Sequence, residues 1–147
     1  MKKRLLMVLT TLSLFVTLTA ASVYAQSDMR LKVNIPFEFS VGNEVLPAGE
    51  YTVRYVAQSA LVIQCFDRNA SQIFSTIGAR SSKTRNESSL VFHRYGDEYF
   101  LSTIWTSGND TGHELFKSRA ERELIRASSK LAKSATERQT VTLVAYR

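Results

Sequence analysis

The residues best suited to chemistry in this sequence gather in one short stretch, where His93, Tyr95 and Glu98 stand beside Phe100 and Ile104. An imidazole within reach of a carboxylate can act as a general base. His93 with Tyr95, Asp97 or Glu98 is therefore the one catalytic grouping the sequence offers. The same side chains could instead form a ligand-binding surface, because tyrosine and histidine each join an apolar body to a polar tip. A third reading is that they satisfy one another beneath a covering element. An open pocket at His93 with a carboxylate in hydrogen-bond reach would favour the enzyme, and a helix packed over His93 would exclude it.

Other chemistries lack their parts. His93 and His113 are twenty residues apart with no cysteine near either, so no zinc site is expected. His113-Glu114 has the start of a metalloprotease helix motif, but the second histidine would fall at position 117, which is Lys117. No Gly-x-Ser-x-Gly elbow or phosphate-cradling glycine loop is present. Asn109-Asp110-Thr111, between Gly108 and Gly112, reads as a polar turn and not as a calcium loop. The triplets beginning at Asn69, Asn86 and Asn109 fit the glycan acceptor pattern, yet they lie in loop-like sequence where such residues gather anyway. No cofactor, metal ligand or catalytic residue is assigned.

The candidate residues need strands to position them. Ser89 to Tyr95, Gly96-Asp97 and Glu98 to Thr106 read as a β-hairpin with a two-residue turn. That register sets Tyr95 against Glu98, Arg94 against Tyr99, His93 against Phe100 and Phe92 against Leu101. One face then carries Leu90, Phe92, Arg94, Tyr99, Leu101, Thr103 and Trp105 and is expected to meet the core. The other carries Val91, His93, Tyr95, Glu98, Phe100, Ser102 and Ile104. It is too apolar to stand wholly bare.

The rest of the chain is patterned in the same way. From Leu31 to Val41 every odd position is apolar, which only an extended chain places on one side, and Pro36 should put this run at an edge or break it. Gly42-Asn43 looks like a tight turn. Leu46-Pro47-Ala48-Gly49 is expected to form a type II turn, with glycine at positive φ, leading into a strand from Tyr51 to Val56. Ala60 to Phe66 and Ser71 to Ile77 form a second hairpin around Asp67-Arg68-Asn69-Ala70. Cys65, on one strand face with Leu61 and Ile63, reads as a buried small hydrophobe. Arg80 to Ser88 and Ser107 to Lys117 read as flexible loops.

Ser118 and Glu121 have the capping-box spacing. Glu121 and Glu123 come early, while Arg126, Lys130 and Lys133 come late, which suits a helix dipole. The periodicity predicts a helix over 119–133, packed on the sheet through a thin stripe that includes Leu124, Ile125 and Leu131. Thr140 to Tyr146 closes the chain as a strand. The expected fold is mainly β: a single-domain antiparallel sandwich or partly open barrel of about seven to nine strands with one C-terminal helix.

The first 25 residues read as a cleavable signal peptide: a basic start at Lys2, Lys3 and Arg4, an uncharged run from Leu5, and Val23-Tyr24-Ala25 before the cut. The run is long enough to cross a bilayer, but its threonines and serines weaken it as an anchor, so no stable membrane span is expected after cleavage. Residues 26–147 form one domain. Sixteen lysines and arginines against thirteen acids leave the mature part at +3, scattered, which argues against nucleic acid. A single cysteine permits no internal disulfide.

Pro36-Phe37-Glu38-Phe39-Ser40-Val41-Gly42, Leu46-Pro47-Ala48-Gly49-Glu50-Tyr51-Thr52-Val53 and Leu90 through Leu101 together resemble a family of small exported bacterial proteins of unknown function. The likeness continues through Gly112, Glu114, Leu115, Ser118 and Glu121-Arg122-Glu123. It implies export and a β-rich fold, and carries no activity or functional residue with it. The expected function is an exported, periplasmic or extracellular, non-catalytic module that binds an envelope protein or small ligand. The alternatives are a small enzyme using His93 and a carrier of a hydrophobic ligand inside a hollow barrel.

Overall fold

A computed structural model describes residues 30–57, 59–130 and 138–146. The expected signal peptide lies outside these residues. The described chain forms β1 (Arg30–Ile35), β2 (Phe39–Val41), β3 (Glu44–Leu46), β4 (Gly49–Ala57), β5 (Ala60–Cys65), β6 (Ser71–Arg80), β7 (Ser88–Tyr95), β8 (Glu98–Trp105), β9 (Thr111–Leu115), a helix α1 (Arg119–Lys130) and β10 (Gln139–Ala145). The fold is mainly β, as the alternation requires. The expected seven to nine strands become ten, because Pro36 splits the first apolar run into β1 and β2, and β3 and β9 are also present.

The strands run in the order β1-β4-β5-β6-β9-β8-β2-β3, while β7 lies along the other edge of β8 and pairs in turn with β10. The sheet is mixed and not purely antiparallel, since Ser40 of β2 pairs in parallel with Phe100 of β8. Strand β6 serves two layers: residues 71–75 pair with β5 and residues 76–80 with β9. A strand that changes partners midway turns the corner between layers. Among the described residues no ladder closes the ring, although a bridge from Lys32 to Tyr146 spans the seam between β1 and β10. The result is a partly open barrel.

Inward positions follow the period of two. Leu31, Val33 and Ile35 meet Tyr51, Val53, Leu61, Ile63 and Cys65 from the neighbouring strands, all buried. Aromatic rings occupy the middle: Phe39 stands edge-on to both Tyr51 (centroids 5.2 Å apart) and Phe92 (5.5 Å). Phe37 stacks on Tyr99 at 3.9 Å. Edge-to-face and stacked pairs of this kind add to the burial of large apolar surface. Cys65 is free and buried, as its strand face requires.

The Leu-Pro-Ala-Gly segment departs from the expected type II turn, because Gly49 does not adopt positive φ; Gly42, Gly96 and Gly108 do. Gly49 serves instead as a space. A Cβ there would lie 3.3 Å from Cys65 Sγ and 3.8 Å from the Tyr51 ring. The freed volume lets Tyr51 reach back so that its hydroxyl donates to the Pro47 carbonyl at 2.6 Å. The motif therefore pins the entry to β4 from inside the core.

The β7–β8 hairpin keeps the expected register from Tyr95↔Glu98 through Phe92↔Leu101, and then shifts at a bulge, so that Val91 faces Thr103 and Leu90 faces Ile104. One extra residue, Ser102, reverses the facing of everything after it. Ile104 thus joins Leu90, Phe92 and Leu101 in the core, whereas Thr103 and Trp105 move to the opposite face. The expected faces are correct near the turn and exchanged beyond it.

The segment from Ser107 to Lys117 is not simply a loop, for it contains β9, paired with both β6 and β8. Its glycine explains how. Gly112 passes directly over Trp105, where a Cβ would lie 2.6 Å from Cε3 and 2.9 Å from the Ile104 carbonyl. The Arg85 guanidinium covers the indole at 4.5 Å from its centroid. The loop before β7 is itself tied down, with Ser81 N–H donating to Asp110 and Gly108 N–H to Arg85. Gly112→Ala is expected to lower stability by about 2 kcal/mol. The entropic gain of about 0.4–1 kcal/mol from removing a glycine cannot offset contacts this short against backbone. A urea titration checks it, and an unchanged midpoint would remove the role assigned to Gly112.

Candidate functional site

The turn Gly96-Asp97 sets the geometry of the His93 hairpin. Gly96 takes φ 63°, and Arg94 Nε donates to the Gly96 carbonyl at 2.6 Å. His93 and Tyr95 project from β7 onto the outer face of the sheet, opposite the core. Phe100 is buried there, its ring centroid 5.9 Å from that of Tyr95. Glu98, expected in the same group, is exposed at the turn and does not join it. The carboxylate that does join comes from elsewhere in the chain. Glu121, in the first turn of α1, is only 4 % exposed, with Oε1 3.0 Å from His93 Nδ1 and 3.3 Å from the Tyr95 hydroxyl.

Local sequence explains how Glu121 arrives. Ser118 caps the helix, its Oγ accepting from the Glu121 N–H at 3.0 Å. Only this half of the capping box forms, because the Glu121 side chain turns to the sheet. The start of α1 is thereby fastened over β7 by a carboxylate that the helix dipole favours at that end. Leu124 and Ile125 are half-buried, and positions 131–133 of the expected helix lie outside the described residues. Burial, then the Glu121 charge and its hydrogen bond, raise the pKa of Tyr95, while Arg138 just before β10 pulls it down. Tyr95 therefore holds its proton and donates it. His93 is held between helix and sheet, with its side chain 16 % exposed. Strand β10 flanks it on the other side, with Thr140 opposite His93.

A second histidine cluster was invisible in the sequence. His113 of β9 points inward, where the Tyr55 hydroxyl of β4 meets its Nε2 and Thr76 Oγ1 of β6 lies 3.1 Å from its Nδ1. Thr76 also approaches the Ser59 carbonyl at 3.5 Å, so a consistent arrangement has Tyr55 donating to Nε2 and Nδ1–H donating to Thr76. Burial lowers the pKa of His113 and raises that of Tyr55. Both groups are thereby held neutral, and three strands are joined at one end of the barrel. A histidine whose folded pKa is depressed lets the unfolded chain take up a proton first. Stability is then expected to fall as pH drops below the ordinary value near 6.5. His113→Gln should flatten that acid limb relative to the parent in urea titrations, and an equal slope in both would remove His113 as its source.

Two open clefts lie away from both clusters. One of about 330 Å³ is lined by Arg30, Thr52, Arg54, Gln64, Cys65 and Phe66. The other, about 340 Å³, is bordered by residues 42–44, residues 72–75, Leu115 and Phe116. Among the described residues no cluster of histidine, cysteine and carboxylate is arranged to hold a metal ion, and no helix is long and apolar enough to cross a membrane. No protein-family model, curated protein or solved structure matches the chain.

Proposed function

We propose that this chain is an exported, non-catalytic module of the bacterial envelope that binds a partner or small ligand through its outer surface. The observation that carries the reading is a division of labour among side chains. The groups able to do acid–base chemistry are bound to one another, while large apolar groups face outward: Phe66 at 81 % exposure, Ile73 at 62 % and Phe116 at 60 %. Exposed apolar groups beside clefts are characteristic of interaction surfaces. An enzyme built on His93 has less support, because the carboxylate within its reach is buried and serves to fasten the helix. A hydrophobe carrier has less support too, because the edge-on rings of Phe39, Tyr51 and Phe92 fill the middle of the barrel. Export is supported by the basic-apolar leader and by the resemblance to small exported bacterial proteins.

The test is expression of the full chain in a bacterial host, followed by fractionation, N-terminal sequencing and untargeted mass spectrometry of copurifying molecules. The expected product begins at Gln26, leaves the cytoplasm and retains a molecule that Phe66→Ser or Phe116→Ser releases. An uncut cytoplasmic product, or retention indifferent to both substitutions, would sink the reading.

A further inference from the structure

We propose that the cleft between β3 and the first half of β6 is a slot for one extended strand of a partner polypeptide. The strand would carry apolar side chains at alternate positions and a basic residue near Glu44. This deepens the binding-module reading and rests on it.

One wall of the cleft is residues 72–75 of β6, and the other is the β2–β3 turn, Gly42 and Asn43, with Glu44 where β3 begins. Strand β3 pairs with β2 on one side, and among the described residues no ladder runs along its other side. Residues 71–75 of β6 pair with β5 on one side, but β9 joins the opposite side only from Thr76 onward. Beyond Leu115, where the β6–β9 ladder ends, the cleft opens between residues 72–75 of β6 and residues 42–44. Backbone N–H and C=O groups along the open edge of residues 71–75 are a template for another extended backbone, the pairing used in strand addition. Five residues of β6 match about 17 Å of strand at about 3.3 Å per residue.

The side chains select what kind of strand. Phe74 and Leu115 are buried at the base of the cleft, while Ile73 and Phe116 stand exposed at its rim. Edge strands that must avoid partners carry lysine, proline or inward charges. Residues 71–75 carry no charge and no proline, and Glu44 is the only charged residue lining the cleft. An uncharged edge over an apolar base favours a strand with period-two apolar residues, and Glu44 favours a lysine or arginine on it.

The test uses the full chain, expressed with its own leader, and a short capped peptide alternating valine with threonine around one central lysine. Three controls accompany it: the same peptide N-methylated at alternate backbone nitrogens, the peptide with glutamate for lysine, and the variants Ile73→Lys and Phe116→Lys. Amide hydrogen exchange is expected to show new protection at Glu44–Leu46 and within residues 71–75. N-methylation should weaken binding about tenfold or more, since each lost hydrogen bond is worth about 1 kcal/mol and about 1.4 kcal/mol is tenfold. The glutamate peptide and both lysine variants should also bind less well, with the variants' melting temperatures unchanged. Equal affinity for the N-methylated peptide, or protection elsewhere, would overturn the slot. So would self-association of the chain through these edges without peptide, which would identify the occupant as a second copy. A molecule that still copurifies with Ile73→Lys would leave the binding-module reading standing while removing the slot.

Discussion

Glu121→Ala is expected to destabilise the protein by about 3 kcal/mol and to release the first turn of α1 from the sheet. The carboxylate is buried and takes hydrogen bonds from two groups, His93 and Tyr95. Bonds to a charged acceptor are worth about 1.5–3 kcal/mol each. Against this, alanine removes the cost of burying a charge, and His93, partly exposed, can find water. Tyr95 cannot do so as easily, because its ring lies against Phe100 and it is 6 % exposed. Arg138 can still donate to the phenol oxygen, but the proton that Tyr95 gives to Glu121 loses its acceptor, and this decides the sign. Glu121→Gln keeps an acceptor oxygen in place and should cost about 1 kcal/mol, near the average net value of one hydrogen bond. Ser118→Ala tests the cap separately, at about 1 kcal/mol.

Urea titrations of the three variants measure these values, and the pattern separates structure from binding. If Glu121 fastens the helix, alanine costs more than glutamine and the loss appears without any ligand. If the cluster is instead a recognition site, Glu121→Gln would leave the urea midpoint alone and release the molecule that copurifies with the parent chain. A change below about 0.5 kcal/mol for alanine, the range of an unremarkable surface substitution, would show that the contact holds nothing.

Alternation made most of the fold legible in the sequence. Leu31, Val33 and Ile35 could face one way only in an extended chain, and the two-residue turn at Gly96-Asp97 fixed four cross-strand pairs in advance. The limit was reached where geometry departs from strict alternation. The bulge at Ser102 is one uncounted residue, and it moved Ile104 into the core and Trp105 out of it. β9 was missed because Thr111-Gly112-His113-Glu114-Leu115 has a weak apolar signal. Its strand is set by tertiary partners on both sides and by the absence of a side chain at Gly112.

The candidate site was legible by half. His93, Tyr95 and Phe100 were named from one hairpin, but their carboxylate is 28 residues beyond His93. In sequence Glu121 reads as half of a capping box, a local role that its burial overrides. Nothing local could have linked Tyr55 with His113, 58 residues apart. Inward parity is readable for Tyr55, which follows Tyr51 and Val53, but not for His113, whose polar surroundings read as a loop.

Raising the pH above 10 is expected to weaken the fold more than any single substitution considered, with Tyr51 as the largest source. Burial, with the Cys65 thiol beside it adding to the effect, pushes the Tyr51 pKa from 10.0 up to about 12. The unfolded chain loses this proton first. The stability the neutral phenol contributes is whole below pH 10 and is lost as pH climbs toward about 12. At about 1.4 kcal/mol per pH unit the loss from Tyr51 reaches about 3 kcal/mol, and the raised values of Tyr55 and Tyr95 act in the same direction. Tyr51→Phe has the opposite profile. At neutral pH it loses the hydrogen bond to Pro47, about 1 kcal/mol, but its ring cannot ionise. The two stability curves should therefore cross at about pH 11, where the alkaline loss in the parent equals the hydrogen bond missing from the variant. Urea midpoints across the alkaline range locate the crossing. Parallel curves would mean that Tyr51 ionises alike in the folded and unfolded chains, contrary to its place between Phe39 and Cys65 in the core.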